Sequence, residues 1–312
     1  MPFCEADPWR LQYFEHVACP PEVRIPTEDP DAYEWYPQHR WIYDKLRLCA
    51  SQGIECAPHG VEPPHFPVFS KPATNLRGMG VGSRLLRNLE DYRQHLAPGH
   101  FWMPLLQGEH VSTDVAVVQG RLRWSRHCRG VPAGRGTFDY WTIEAQGRAR
   151  LEAYLADWIA QHLATYTGMM NFETIGGRII DAHLRFADQW PDLYGRGWLE
   201  AVVGLYQHGA WHLEEGARTD GYSVALFGPH GREYQHLPPA RIEEVRRMPG
   251  VSSVQLTFHT DRPAAAHAMP PGGFRLAIVN SHELAAGRAA RERLARAFEL
   301  TTVSQVAALP HS

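Results

Sequence analysis

The sequence lacks the features that would tie it to a membrane or to nucleic acid. No apolar run in its 312 residues approaches the roughly 18 residues that cross a bilayer, and the N-terminus has no basic stretch followed by an apolar one. The net charge is only −3, so we expect no polybasic surface for a polyanion. We therefore expect a cytoplasmic globular protein without a membrane or nucleic-acid partner.

Cysteine motifs and the common phosphate-binding motifs are also missing. The five cysteines are scattered without a CxxC pair, and the 18 histidines show no HExxH spacing, so we expect reduced structural thiols. The glycine-rich segment 78–83 matches neither the P-loop pattern nor the GxGxxG dinucleotide fingerprint. Two widespread nucleotide folds are thereby excluded, and no internal repeat replaces them.

The most explicit chemistry lies in residues 168–185, where two short strands flank a Gly-Gly pair. Paired glycines supply the positive φ that a tight hairpin turn requires, so Glu173 and Asp181 should lie on neighbouring strands. Strand alternation places Asp181, His183 and Arg185 on one face. Such a set is either a site for a Mg²⁺-bridged phosphate, since Mg²⁺ takes one or two carboxylates plus the phosphates, or a surface hairpin with solvated charges.

A second feature is a lysine followed by a glycine-rich loop. Residues 66–72 predict a short buried strand that ends near Lys71, and Gly78, Gly80 and Gly82 follow at alternate positions. Such glycines let a backbone approach a ligand closely and turn its N–H groups toward an anion. The loop is therefore either an anion-binding segment or a flexible connection.

Hydrophobic periodicity predicts a mixed chain around these features. We expect helices at 41–52, 84–96, 147–166, 198–212, 239–248 and 282–298. We expect further strands at 110–118, 121–128, 137–144, 222–227, 254–259 and 274–280, the first three forming a small antiparallel sheet. Residues 1–40 are broken by prolines and predict an irregular lead-in.

The order of these parts resembles the ATP-grasp superfamily, in the branch of carboxylate–amine ligases, biotin carboxylase and carbamoyl-phosphate synthetase. The resemblance covers residues 41–190 well and the tail loosely. It rests on five segments in order, which contain Tyr43-Asp44-Lys45, Ser70-Lys71-Pro72, Arg77-Gly78-Met79-Gly80, Gly108-Glu109-His110 and the Glu173 to Arg185 hairpin.

The resemblance implies ATP and Mg²⁺ as cofactors, with Mn²⁺ as an alternative. It implies the following roles for residues of this sequence: nucleotide binding by Lys45 and Lys71, a phosphate lid with Gly78, Met79 and Gly80, and ribose contacts from Glu109 or His110. Glu173, Asp181 and His183 would hold the metal. Arg185 and His183 are the implied catalytic residues, with Arg185 steadying an anionic acyl-phosphate.

The implied fold is α+β, with two subdomains that grip ATP, a reduced N-terminal region and a small C-terminal α/β extension. We expect a lead-in at 1–40, an ATP-grasp core at 41–195 with its lid at about 66–105, and the remainder of the domain with its extension at 196–312. The sequence departs from the family pattern at Asp181 and His183, where Glu and Asn are usual, and in the hinge 103–106, which lacks an acid. A nitrogen ligand at His183 suits Mn²⁺ or Zn²⁺ better than Mg²⁺.

The implied activity is that of an ADP-forming ligase that activates a small carboxylic acid as an acyl-phosphate and transfers it to an amine. Two alternatives stay open. The short N-terminal region and His183 are compatible with a degenerate domain that binds nucleotide without turnover, and a related enzyme would activate bicarbonate. Small carboxylates and amines are the expected partners, and a homo-oligomer stays open.

Overall fold

The chain forms two mainly antiparallel sheets with helices on their faces. The structure is a computed structural model and describes residues 3–5, 7–76, 80–214 and 216–299. Its strands are β1 (Phe3–Cys4), β2 (Ile25–Pro26), β3 (Ala57–Pro58), β4 (Val68–Pro72), β5 (Arg84–Leu86), β6 (His100–Pro104), β7 (His110–Val118), β8 (Arg121–Gly134), β9 (Thr137–Ile143), β10 (Gly168–Ile175), β11 (Arg178–His183), β12 (Gly221–Gly228), β13 (Val251–Leu256) and β14 (Phe274–Ser281).

The helices are mostly short and lie between the strands. They are α1 (Leu11–Phe14), α2 (Asp29–Trp35), α3 (Lys45–Ala50), α4 (Leu89–Gln94), α5 (Ala149–His162), α6 (Trp198–His208), α7 (Pro239–Arg246) and α8 (Leu284–Ala297). The described residues also contain three 3₁₀ turns, at Arg40–Tyr43, Pro191–Leu193 and Ala264–Ala266. None of the helices in the described residues is long and apolar enough to cross a membrane.

The large sheet has eight strands in the order β11-β10-β7-β8-β9-β12-β14-β13, and every neighbouring pair is antiparallel. The four-stranded sheet has the order β3-β6-β4-β5, and β1 pairs with β2 in parallel. The hairpin β10–β11 forms one edge of the large sheet. Residues 105–109 connect the two sheets, since β6 belongs to one and β7 to the other.

The core lies on both faces of the large sheet. On one face, Leu155 and Trp158 of α5 lie in a buried cluster with Val115 and Phe172 of the sheet. On the other face, the cluster includes Trp198 of α6 together with residues of the N-terminal segment, among them Phe3, Tyr13, Phe14 and Ile25. Burial of apolar area stabilises a fold by about 25 cal/mol for each Å² removed from water. Because its side chains lie in this buried cluster, the N-terminal segment is an integral layer of the fold.

Most predicted elements are confirmed with small shifts in their ends. Leu155, Trp158 and Ile159 of the predicted 147–166 helix are buried, and the Gly-Gly hairpin forms with φ of +57° at Gly176 and +79° at Gly177. The fold class is confirmed as α+β. Cys19, Cys49, Cys56 and Cys128 are free thiols, as expected.

Four local predictions were wrong. Residues 84–86 form a strand because they pair with β4, and a helix starts only at Leu89, after Asn88 caps it. The predicted 41–52 helix is a 3₁₀ turn followed by α3, because Asp44 is extended and caps the N–H groups of the next turn. The small three-stranded sheet is the centre of the eight-stranded one, and the lead-in contains α1 and α2.

Candidate functional site

The candidate site is built on the edge hairpin of the large sheet. Glu173 and Asp181 are direct partners in the β10–β11 register, and Asn171 pairs with His183. Directly opposed residues have Cβ atoms about 5 Å apart, so the two carboxylates lie side by side on one face. The register shifts just after Glu173, which re-aims the residues that follow. The predicted juxtaposition of these acids is confirmed.

Two lysines from different elements reach the same strand. Lys45 opens α3 after its capping residue Asp44, and its ammonium contacts a carboxylate oxygen of Asp181. Lys71, on β4 of the smaller sheet, donates to the carbonyl oxygen of Ile180 at 2.6 Å. Burial, followed by the charge of Lys45, lowers the pKa of Lys71 to about 8. The two ammonium groups therefore converge on consecutive residues of β11.

A buried acid that the sequence did not single out organises the other end of β11. The Nδ1 atom of His183 lies 2.9 Å from each carboxylate oxygen of Asp29. Arg185 approaches the same carboxylate with Nε 3.1 Å from Oδ1, and the Tyr43 hydroxyl donates to Oδ1 at 3.2 Å. Burial alone raises the pKa of Asp29, but Arg185 and His183 outweigh it and hold the pKa well below its usual range. Asp29 thus stays ionised.

His110 joins the acidic face, whereas Glu109 turns elsewhere. Nε2 of His110 lies 3.2 Å from Oε2 of Glu173, and this contact offsets the effect of burial and lowers the pKa of Glu173. Glu109 is 60% exposed at its side chain and accepts from Arg148 at 2.8 Å. Of the two residues predicted to meet a ribose, His110 is therefore the one next to the carboxylates.

The predicted lid lies only partly within the described residues. Gly78 and Met79 are outside them. Gly80 and Gly82 are described, and their φ values of +61° and +80° are those that a backbone turn with glycine adopts. The role of this loop stays a prediction.

The connection between the sheets touches the hairpin turn. The N–H of Gly176 donates to the carbonyl oxygen of Glu109 at 3.1 Å. A Cβ atom placed on Gly108 would lie 2.7 Å from the Cα of Gly176, and one on Gly176 would lie 2.2 Å from the carbonyl oxygen of Gln107. Only glycine fits at either position, because no Cβ can approach that closely.

A second buried acid fastens the hairpin to the segment that follows it. Asp114 on β7 is 1% exposed, and its carboxylate accepts from Asn171 at 2.7 Å, from the backbone N–H of Ala187 at 2.9 Å and from the Tyr194 hydroxyl at 2.7 Å. Burial raises its pKa to about 6 despite these donors. The network fixes the chain after β11, where Arg185 lies.

The donor set of the hairpin fits a divalent cation. Glu173 and Asp181 offer carboxylate oxygens, which suit Mg²⁺ and Mn²⁺, and His183 adds an imidazole nitrogen. The donor atoms do not all lie within 4.8 Å of one another, as those of Glu5, Asp7 and Glu28 do elsewhere in the described part of the chain. A cation here therefore needs further oxygen ligands, which phosphates supply. The Glu5, Asp7 and Glu28 group surrounds Arg10, whose guanidinium already pairs with two of its carboxylates.

Comparison with known proteins identifies the fold. No protein-family model and no curated protein sequence matches the chain. An L-amino acid ligase from Bacillus licheniformis superimposes with a TM-score of 0.61 at 12% identity, over 92% of this chain and 82% of that one. A phosphoribosylamine–glycine ligase from Thermotoga maritima gives 0.61 at 14% identity, over 92% and 85%.

A third similar protein was crystallised in complex with ATP. It is the carboxyaminoimidazole ribonucleotide synthase from Aspergillus clavatus complexed with ATP, which superimposes with a TM-score of 0.57 at 12% identity, over 84% of this chain and 74% of that one. The chain is therefore an α+β protein with the fold of the ATP-grasp ligases, as the order of its motifs predicted.

Proposed function

We propose that the protein is an ATP-dependent, ADP-forming ligase that activates a small carboxylic acid as an acyl-phosphate and transfers it to an amine. The observation that carries this proposal is the convergence of Lys45 and Lys71, from separate elements, on β11 beside Asp181. The protein shares its fold with several ligases, one of which was crystallised with ATP, and this similarity supports an ATP-dependent ligase reaction.

The charges of the site suit phosphoryl transfer to a carboxylate. That reaction brings several negative charges together, and preorganised cations lower its barrier. Lys45 and Lys71 would bind the phosphates, and Arg185, held in place by Asp29, would face the acyl-phosphate. Glu173, Asp181 and His183 would hold Mg²⁺ or Mn²⁺, which would neutralise phosphate charge when bound.

The remaining assignments complete the proposed site. His110, and less directly Glu109, would meet the ribose. The loop with Gly78, Met79 and Gly80 would close over the phosphates and exclude water, which would otherwise hydrolyse an acyl-phosphate. We keep residues 66–105 as the lid subdomain of a core at 41–195, with 1–40 as its lead-in and 196–312 as the rest of the domain and extension.

ADP release tests the proposal directly. The purified protein is incubated with ATP, Mg²⁺ or Mn²⁺, and a panel of amino acids, small carboxylic acids and bicarbonate, each with and without an amine acceptor. Release that requires both an acid and an amine, with an amide product, supports the ligase. Nucleotide binding without release supports a degenerate domain, and dependence on bicarbonate supports a carboxylase-like enzyme.

Matched variants of two acids make the assay specific to the site. Asp181→Asn removes one charge at nearly constant volume beside Lys45, and we expect turnover to fall at least about 100-fold, as for other transition-state electrostatic contacts. Glu244→Gln makes the same kind of change at an exposed acid that pairs with the surface residues Arg241 and Arg293, and it should leave turnover unchanged. Full activity in Asp181→Asn would contradict the assigned role of Asp181.

A further inference from the structure

We propose that Asp29 is a positioning residue that holds His183 as a nitrogen ligand of the divalent cation, and that the site consequently prefers Mn²⁺ or Zn²⁺ to Mg²⁺. The proposal rests on the proposed function for the presence of a cation, and it adds the residue that sets the cation's identity. Asp29 lies at the start of α2, 154 residues away in sequence from His183.

The contacts of His183 determine which ring nitrogen carries the proton. Nδ1 lies 2.9 Å from both oxygens of Asp29, and two carboxylate oxygens at that distance require a proton on Nδ1. The Arg185 guanidinium also lies 3.3 Å from Nδ1, but it offers only donors and serves mainly to pair with Asp29. A neutral imidazole protonated at Nδ1 keeps its lone pair on Nε2.

The geometry directs that lone pair toward the acidic face. Nε2 of His183 lies 3.9 Å from Oδ1 of Asp181, beyond hydrogen-bond distance. Two ligand atoms about 2.1 Å from one cation are about 3.0 to 3.4 Å apart at octahedral or tetrahedral angles, so these two atoms would share an ion after approaching each other by about 0.5 to 0.9 Å. The Lys45 ammonium contacts the other oxygen, Oδ2, whereas Oδ1, which also accepts from the Ala182 N–H at 3.2 Å, is the oxygen near the imidazole.

The immobility of Asp29 makes it suited to orient a ligand. Its side chain is 4% exposed, and Tyr43 and Arg185 hold it from two further directions. A carboxylate that accepts from the second nitrogen of a metal-bound histidine fixes the ring and raises its basicity, and loss of such a partner costs about 10- to 100-fold in metal affinity. Imidazole nitrogen favours transition-metal ions over Mg²⁺, which prefers oxygen.

The first test uses the unaltered protein and Mn²⁺ alone. Bound Mn²⁺ is followed by electron paramagnetic resonance, and coupling to ligand nitrogen by electron spin-echo envelope modulation. We expect ¹⁴N modulation in the wild type and its loss in His183→Asn, which offers an amide oxygen. Absence of Mn²⁺ binding, absence of modulation, or modulation that persists in His183→Asn overturns the proposal.

A double-mutant cycle then separates positioning from a general structural effect. Asp29→Asn should weaken Mn²⁺ binding about 10- to 100-fold in the wild type and leave it unchanged within about twofold in the His183→Asn background. Asp31→Asn makes the same change at another acid of α2 and should leave Mn²⁺ binding within about twofold. Equal losses in both backgrounds would show that Asp29 does not act through His183.

ATP binding, measured as thermal stabilisation with Mg²⁺, is scored separately. Nitrogen modulation that depends on Asp29, without stabilisation by ATP, supports this inference and refutes the proposed function. ATP stabilisation with bound Mn²⁺ that lacks nitrogen coupling retains the proposed function and refutes the inference.

Discussion

The buried Lys71 gives the sharpest prediction, because it makes ATP binding and folding stability respond to pH with opposite signs. Its side chain is almost fully enclosed, and burial together with Lys45 lowers its pKa from 10.5 to about 8. At about 1.4 kcal/mol for each tenfold change in proton affinity, holding the charged ammonium costs the folded protein about 3 kcal/mol. A nearby triphosphate favours the charged form, so nucleotide binding and protonation of Lys71 are linked.

The expected signs follow from where the proton is held. In the protein without nucleotide, Lys71 is largely neutral above about pH 8 and must take up a proton when ATP binds. The Kd for ATP should therefore rise by up to about tenfold per pH unit above pH 8. Between about pH 8 and 10.5 the unfolded chain binds more protons at this lysine than the folded one. The free energy of unfolding should therefore rise in that window, by up to about 3 kcal/mol from this group.

Calorimetry in two buffers of different ionisation enthalpy measures the proton uptake on ATP binding, and urea unfolding measures stability. Lys71→Arg stays charged and should flatten the Kd profile, whereas Lys71→Met should bind ATP weakly without the slope above pH 8. A Kd that is constant from pH 7 to pH 9.5, or an unaltered slope in Lys71→Met, would refute the reasoning.

Three further predictions concern the stability of the folded protein. Tyr194→Phe removes the hydroxyl that donates to Asp114 at 2.7 Å, and should lower the free energy of unfolding by about 1–3 kcal/mol in urea titrations; an unchanged midpoint would contradict this. Gly120→Ala places a Cβ 2.5 Å from the backbone of Ala164, whereas Gly53→Ala has a similar φ and open space around its Cβ. We expect Gly53→Ala to lower the free energy of unfolding by about 1–2 kcal/mol and Gly120→Ala to lower it clearly more. Equal thermal midpoints for the two variants would count against the contact. Burial, then Asp188, raises the pKa of Glu28 to about 7, so the folded state holds more protons between about pH 4.5 and 7 and stability should fall as pH rises through that window. Glu28→Gln should reduce the difference in urea midpoint between pH 5 and pH 8, and an undiminished difference would argue against this assignment.

Local pattern was enough to predict the acidic hairpin and its neighbours. The Gly-Gly turn and strand alternation place Glu173 opposite Asp181, and both rules act over a few residues. The roles of Lys45 and Lys71 were predicted from the order of motifs and not from periodicity. Their arrival at one strand is a tertiary fact, but it follows once the fold is known.

The parts that escaped prediction depend on contacts between segments distant in sequence. Asp29 lies in a proline-rich segment, and nothing local indicates that its carboxylate reaches a histidine on β11. Pro30 and the preceding acid do mark a helix start, which could have predicted α2 but not its partner. Residues 84–86 form a strand because pairing with β4 outweighs helix propensity, which is worth only tenths of a kcal/mol per residue.

The close contact between Gly108 and Gly176 ties the segment that joins the two sheets to the turn of the acidic hairpin. The segment that joins the two sheets packs directly against the turn between the two strands that carry the carboxylates. The contact is between backbone atoms, with no side chain between them. Any rotation of the smaller sheet about this joint must carry the bend with it or break the hydrogen bond from Gly176 to Glu109. If the smaller sheet rotates about this joint, the separation of the two acids changes with it, and a side chain at either glycine would force the two segments apart.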